Sequence, residues 1–390
     1  MTGMDRQLAI YMAGARGEKP IHPVAYEALR DRARQILPEE AFAYVAGGAG
    51  LEDTMRENRE AFRRWRIVPR HLRGVGRRDL GVEVLGHALP APILLAPVGV
   101  QGILHPEGEL ASARAAASLG LPIVLSTVSS HALEAVAEAA GDGLRWFQLY
   151  WPRDPELAAS FVSRAEAAGY SAIVVTLDLA LLAWRPRDIQ NAYLPFLLGE
   201  GLANYLTDPV FLRDLTASPA DDPRPAIEKF GRVFAHPELT WDDLGRLREM
   251  TRLPVVLKGI LDPDDARRAL DAGAAAVIVS NHGGRQVDGA IASLDALPTV
   301  VAAVGGRAPV LLDSGVRGGA DAFKALALGA RAVLVGRPYA YALAVGGEAG
   351  VRDLLENLVA ELDLTLGLSG CRAIDEIGAR NLRPKGPGVD

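Results

Sequence analysis

Eight short apolar runs recur along the chain without alternating polar positions: Ile93–Ala96, Ile123–Ser126, Trp146–Tyr150, Ala172–Asp178, Val255–Gly259, Ala276–Ser280, Val310–Asp313 and Ala332–Gly336. Strands buried on both faces of a parallel sheet need such continuous hydrophobicity, whereas a strand with one wet face alternates. Between the runs, Pro106–Leu119, Ala132–Ala140, Pro155–Ala168, Pro263–Ala272 and Ala320–Leu328 carry apolar residues at helical spacing. Asp154-Pro155 and Asp262-Pro263 place an acidic cap before a first-turn proline. Gly120, Gly169, Gly273 and Gly329 stand just past helix ends, where a left-handed residue costs least. Eight strands alternating with helices predict an α/β fold, a (β/α)8 TIM barrel. A doubly wound sheet is set aside because no G-x-G-x-x-G follows the first run and no Walker A lysine occurs.

Two segments fall outside this repeat. Residues 1–81 are expected to form an N-terminal helical extension packed on the barrel, with a helix at Pro38–Val45 ending in Gly47-Gly48. The barrel is expected over 82–378 and a C-terminal tail over 379–390. Roughly 75 residues separate the fourth and fifth runs, and so long a stretch within a barrel points to a lid or binding excursion. This lid insertion, 179–250, holds Trp184, Tyr193, Phe196, Tyr205 and Phe211, enough apolar surface to cover a site.

Composition narrows the class. With 390 residues, 49% hydrophobic and 23% charged, the chain has the makeup of a globular protein rather than a disordered or collagenous one. Its 42 basic and 48 acidic residues leave a charge of −6, and no Lys/Arg run exceeds two, so nucleic acid is not an expected partner. Cys371 is the single cysteine, which suits a reducing cytoplasm. The opening MTGMDRQLAIYMAGARGEKP carries acid and no sustained apolar core, so it does not read as a signal peptide. No apolar run reaches the roughly 18 residues of a membrane span.

Chemistry in a barrel gathers at the C-terminal ends of the strands. Those ends read Pro97-Val98-Gly99, Ser126-Thr127, Gln148-Leu149-Tyr150, Thr176-Leu177-Asp178, Lys258-Gly259, Ser280-Asn281-His282-Gly283-Gly284-Arg285, Asp313-Ser314-Gly315-Val316-Arg317 and Gly336-Arg337. Nearly all offer a hydrogen-bonding or cationic group, which predicts a site on this rim. His282 is the only histidine directly after a buried run. A catalytic histidine needs a partner that fixes its tautomer and stabilises the imidazolium; Asp178 is the candidate, and a core histidine bonded to backbone is the alternative.

Arg285, with Arg185 or Arg187 in the lid, offers planar forks matched to a carboxylate. The residues alone do not choose between Arg185 and Arg187. The Gly-rich turns with Arg317 and Arg337 suit a phosphate at the barrel's habitual phosphate site, or are tight turns with solvated arginines. A phosphate there and an anion near His282 imply a phosphorylated cofactor with its reactive end at the barrel centre. No metal is expected, since there is neither an H-E-x-x-H nor a cysteine pair. Ser126 and Ser280 are not on a nucleophile elbow.

These strand ends, the hexapeptide around His282 being the most specific, resemble the FMN-dependent α-hydroxy-acid oxidase and dehydrogenase family from about Tyr26 to Pro338. Trp184-Arg185-Pro186-Arg187-Asp188, Asn204-Tyr205-Leu206-Thr207-Asp208-Pro209 and the long lid look most like its lactate 2-monooxygenase branch. The resemblance implies FMN as cofactor, His282 as active-site base and Asp178 behind it. It implies that Arg285 and Arg185 grip the substrate carboxylate, and that Tyr44 and Tyr150 are substrate tyrosines. Pro97, Val98, Gly99, Ser126, Gln148, Thr176 and Ser280 would contact the flavin. Lys258 would sit at the N1–C2 carbonyl edge of the ring as a catalytic and cofactor-binding residue. Asp313, Arg317, Gly336 and Arg337 would hold the ribityl and phosphate end.

The activity so implied is O2-dependent oxidation of an (S)-2-hydroxy acid, of lactate 2-monooxygenase type, giving acetate, CO2 and water. A cytoplasmic homotetramer or homo-octamer is implied as well. Gly99 is expected to leave room beside the flavin, compatible with oxygen access. The segment Leu179-Ala180-Leu181-Leu182-Ala183 lacks the threonine and bulky aromatics expected after the strand-4 aspartate, so a roomier pocket and a longer aliphatic or aromatic acid are the alternative. A peroxide-releasing oxidase or a dehydrogenase is a second enzymatic reading. From another class comes a non-redox phosphate-binding aldolase or isomerase with Lys258 as a Schiff base.

Overall fold

The computed structural model describes residues 2–386. Eight parallel strands, β1 (Ile93–Leu95), β2 (Ile123–Ser126), β3 (Arg145–Leu149), β4 (Ile173–Thr176), β5 (Val255–Ile260), β6 (Ala276–Val279), β7 (Val310–Leu312) and β8 (Ala332–Val335), close into a barrel in which β8 pairs with β1. Each expected run coincides with one strand, and nearly every strand residue is buried. Leu94, Val124, Trp146, Val174, Val256, Ile278, Leu311 and Leu334 form one buried cluster inside the barrel. Their neighbours Ile93, Leu95, Ile123 and Leu125 join the larger core shared with the helices. That alternation is why the runs need apolar residues at every position. A hairpin of Val82–Val84 and His87–Leu89 adds Val82, Val84 and Leu89 to the inner cluster and plugs the end where β1 starts.

The surrounding helices are α1 (Gly108–Ser118), α2 (Leu133–Ala140), α3 (Pro155–Ala167), α4 (Asp243–Met250), α5 (Pro263–Asp271), α6 (Ser293–Val304), α7 (Gly319–Ala327) and α8 (Arg337–Leu368). The acidic caps form: Asp154 accepts from Glu156 N and Leu157 N, and Asp262 from Asp264 N and Asp265 N. Helix α4, which falls within the expected lid, and helices α6 and α8 are absent from the helical spacing recognised in the sequence. Pro298 lies inside α6, and α8 leaves helical geometry at Gly346 and Gly347, so breakers interrupt both patterns.

The N-terminal extension carries Gly3–Gly14, Tyr26–Ile36, Glu39–Ala46 and Asp53–Arg63, of which the sequence pattern shows only the third. Tyr26–Ile36 buries just Leu29 and Ala33, too thin a stripe to stand out from its charges. The segment expected as a tail contributes a strand: Leu382–Pro384 pairs antiparallel with Trp65–Ile67. Residues 387–390 of that tail lie outside the described residues. The lid breaks into short helices, Pro186–Gln190, Ala203–Leu206, Pro209–Leu212 and Arg224–Val233, before α4 rejoins the ring against α3. No helix among the described residues is long and apolar enough to cross a membrane.

Candidate active site

A cavity of about 1050 Å³, its outer part open to solvent, sits at the C-terminal ends of the strands and is walled on one side by the lid. His282, Tyr150, Lys258, Tyr44, Arg185 and Arg285 all face it. His282 has φ 59, a left-handed conformation that a non-glycine residue holds only when its surroundings fix it. Ser280 Oγ accepts from His282 N at 3.1 Å, and Ser314 Oγ accepts from Gly283 N at 2.9 Å. Asn281 exchanges two amide hydrogen bonds of 2.8 Å with Asn58 of the N-terminal extension. The turn is therefore tied on three sides.

His282 Nδ1 lies 2.7 Å from Asp178 Oδ1, leaving Nε2 toward Tyr150 Oη at 3.5 Å. Burial holds the imidazole below its ordinary pKa, with Lys258 adding to the effect and Asp178 opposing it. Burial alone would raise Asp178, but the charges of His282 and Lys258 overcome it and keep the carboxyl low. Burial thus favours the neutral imidazole, the form a general base requires, and Asp178 stabilises the imidazolium once it forms. The approach depends on Gly259, at φ 108, where a Cβ would stand 2.9 Å from Asp178 Cβ and 3.0 Å from its Cγ. The same stretch is a register irregularity between β5 and β6 at Lys258 and Ile260, a device that re-aims side chains beside active sites.

Lys258 is buried, 3.3 Å from Asp313 Oδ2 and donating to Ser280 Oγ at 3.0 Å. Burial would lower its ammonium pKa, yet Asp313 and Asp178 raise it, so it is a fixed positive charge. Ser280 itself does not line the cavity; its hydroxyl serves Lys258 and the His282 turn.

Arg185 Nε donates to Arg285 O at 3.0 Å and Nη2 to Gln286 Oε1 at 3.0 Å. Arg285 Nη1 donates to Tyr44 O at 2.6 Å and Gly47 O at 2.8 Å. Its guanidinium lies 5.1 Å from the centroid of the Tyr44 ring. Neither arginine has a carboxylate partner among the described residues. Burial, with Arg285 alongside, pushes Arg185 down to about 10. The buried Arg185 and the half-buried Arg285, braced by neutral acceptors, make an anion site. Arg187 instead pairs with Glu52 at 2.6 Å and is half exposed, which separates the two lid arginines that the sequence left level.

At the far end, Arg337 donates to Val45 O, Gly283 O and Gly47 O at 3.0, 2.8 and 2.7 Å, and burial pushes it down to about 10. Arg317 lies 4.7 Å from the centroid of the Tyr26 ring. With Gly336 and Arg337 opening α8, these cations and free helix amides suit a phosphate. Between the two ends, Gln148 Nε2 and Thr176 Oγ1 are buried without a partner; such atoms need a hydrogen-bonding ligand or water. Ser126 Oγ donates to Gln148 Oε1 at 3.0 Å and so orients that amide. Ser126, Gln148 and Thr176 are not on the cavity wall itself, whereas Pro97, Val98, Gly99, Asp313, Arg317, Gly336 and Arg337 are. A flat, hydrogen-bonding ring with a phosphate tail fits this set.

The model of the family described as FMN-dependent dehydrogenase matches residues 33–384. The chain belongs to this family. FMN is the cofactor of this FMN-dependent enzyme and oxidation of a 2-hydroxy acid its reaction, which sets aside the non-redox barrel. The chain is 46% identical to an L-lactate oxidase of Lysinibacillus sphaericus, over 90% of this chain and 91% of the relative. It is 44% identical to a 4-hydroxymandelate oxidase of Amycolatopsis orientalis, over 92% and 97%. A crystal structure of mandelate oxidase with (S)-4-hydroxymandelic acid superposes with a TM-score of 0.83 at 43% identity, covering 94% of this chain and all of that one.

Two sequence expectations change. A Cβ on Gly99 would meet Val128 Cγ2 and Val128 O at 2.6 Å, so the missing side chain itself leaves no void, although Gly99 lines the cavity. Trp184, expected to cover the site, is 72% exposed, and Tyr205 and Phe211 are buried within the lid rather than over the cavity. The covering role falls to Phe196 with Leu179, Leu182 and Phe234. Phe234 and Asn58 escaped the sequence reading because each acts through a contact distant in the chain.

Proposed function

We propose that this enzyme oxidises an (S)-2-hydroxy acid whose substituent is apolar and larger than the methyl group of lactate. One observation carries the reading: His282 Nε2 faces a cavity lined by two guanidiniums and by the apolar Leu179, Leu182, Phe196 and Phe234. An acid gripped by Arg185 and Arg285 turns its hydroxyl-bearing carbon to His282 and its substituent to the apolar wall, which supplies the orientation. FMN, when bound, supplies the two-electron acceptor. His282 takes a proton from the bound acid at Nε2, and Asp178 stabilises the imidazolium. Tyr44 and Tyr150 hold the acid's polar end. Lys258 offers a fixed positive charge to the ring, Ser126, Gln148, Thr176 and the Pro97–Gly99 backbone hold its edges, and Ser280 acts through Lys258. Asp313, Arg317, Gly336 and Arg337 hold the ribityl phosphate.

The mandelate oxidase likeness supports a bulky substituent. The test is anaerobic bleaching of the bound flavin across a panel of 2-hydroxy acids. Mandelate and 2-hydroxyoctanoate are expected to outpace lactate, and a preference for lactate overturns the substrate reading. For the oxygen step we favour release of hydrogen peroxide and the 2-oxo acid, in line with the oxidase names of the relatives. The lactate 2-monooxygenase outcome is the second reading, favoured by the apolar lid wall that encloses the product; CO2 and peroxide counted per turnover separate the two. Assembly as a homotetramer or homo-octamer in the cytoplasm belongs to the same proposal. The exposed apolar residues Met4, Leu8, Tyr11 and Met12 on one helix support assembly, and light scattering tests it.

A further inference from the structure

The loop that follows β1 contains a strained residue. Val100 has φ 57 and ψ 37 and is completely buried. β-Branched side chains avoid this left-handed conformation, and such strain persists only where neighbouring groups over-determine it. Two hydrogen bonds bracket the turn. Val100 N donates to Val128 O at 2.8 Å, and Gln101 N donates to Glu109 Oε1 at 3.0 Å. The same Oε1 accepts from Ser130 N, in the loop after β2, at 3.1 Å.

Glu109 lies on α1 and is fully buried; among the described residues it has no salt-bridge partner, only the charge of His131 acts on it, and its Oε2 has no hydrogen-bond partner. Burial pushes its carboxyl up, toward the neutral acid. A buried carboxyl without a salt bridge is costly, and nothing in the proton chemistry at His282 uses it. What it does is tie two loops together. Pro97, Val98 and Gly99, immediately before the strained residue, form the cavity wall, with Val128 filling the space beside Gly99. The Gln101 side chain continues the link, donating to Val98 O at 2.9 Å and to Tyr339 Oη at 3.2 Å.

We propose that Glu109 is a positioning residue that holds Val100 in its left-handed turn and thereby sets the Pro97–Gly99 wall of the FMN cavity. The partner change is Val100→Gly, because glycine adopts a positive φ without strain and removes the need for the clamp. The measurement is the FMN dissociation constant, read by flavin fluorescence on release, together with the absorption spectrum of the bound flavin.

Glu109→Ala is expected to weaken FMN by about tenfold, the effect of losing a buried acceptor for two N–H groups. Glu109→Gln is expected to stay within about twofold of the parent, since its amide oxygen accepts the same bonds. In the Val100→Gly background, Glu109→Ala is expected to cost less than about twofold, a non-additivity that contact through the strained turn requires. Equal loss in both backgrounds marks plain core damage and overturns the proposal, as does a Glu109→Gln protein as weak as Glu109→Ala. An unchanged dissociation constant in Glu109→Ala overturns it too. Should Glu109→Ala fail to fold alone, folding restored by Val100→Gly supports the proposal, and failure in both backgrounds overturns it.

Discussion

The strand ends and the lid meet at one cavity but hold their residues there in different ways. On the strand ends, His282, Asp178, Lys258, Ser280, Asp313 and Ser314 are joined side chain to side chain or to the backbone by bonds of 2.7–3.3 Å. The lid presents Phe196 and Phe234 from an aromatic cluster in which Phe196, Phe230 and Phe234 have ring centroids 4.8–5.6 Å apart. Directional bonds fix a proton donor and acceptor to within a fraction of an ångström, and aromatic packing gives adaptable volume. Reactivity should therefore be brittle on the strand side and selectivity pliable on the lid side.

The largest expected effect is on the strand side. His282→Gln should slow flavin reduction by about 10²–10⁴ while FMN stays bound, as stopped-flow absorbance will show; near-normal reduction would remove the imidazole from the reaction. Asp178→Asn comes next, at about 10², with a signature in pH. The carboxylate opposes the downward pull of burial on His282, so without it the imidazole falls further. The acid limb of kcat/KM should then move to lower pH, and a move upward would contradict the pairing.

Arg285→Lys should raise KM by about tenfold or more, because an ammonium cannot reproduce the planar fork; an unaltered KM would take the guanidinium off the carboxylate. The smallest effect belongs to the lid. Phe234→Ala should change the ratio of kcat/KM for mandelate over lactate by about tenfold at most, leaving kcat for lactate nearly as it was. A large loss of kcat for every acid would erase the distinction between the two regions.

Legibility in the sequence follows the same divide. The barrel strands stand out because burial on both faces suppresses polar positions, and the Asp-Pro helix starts because caps are local. The strand ends point to the site because the fold puts them on one rim, so His282, Asp178, Lys258 and Arg285 are found together without knowing any contact. Arg185 and Arg187 are two positions apart in one segment, and only Glu52, 135 residues away, draws one of them off. Gly99 invites a reading as open space, and only Val128 in three dimensions shows the space filled. Local chemistry is written locally; exclusion and bracing are not.

Gly47 O receives Arg285 from the acid-gripping end and Arg337 from the phosphate end, with the carbonyls of Tyr44 and Val45 next to it. The finish of one short helix is thus a common anchor for both anion sites. A chain that began after Gly47 would keep every barrel stave and still lose this hold on both guanidiniums at once.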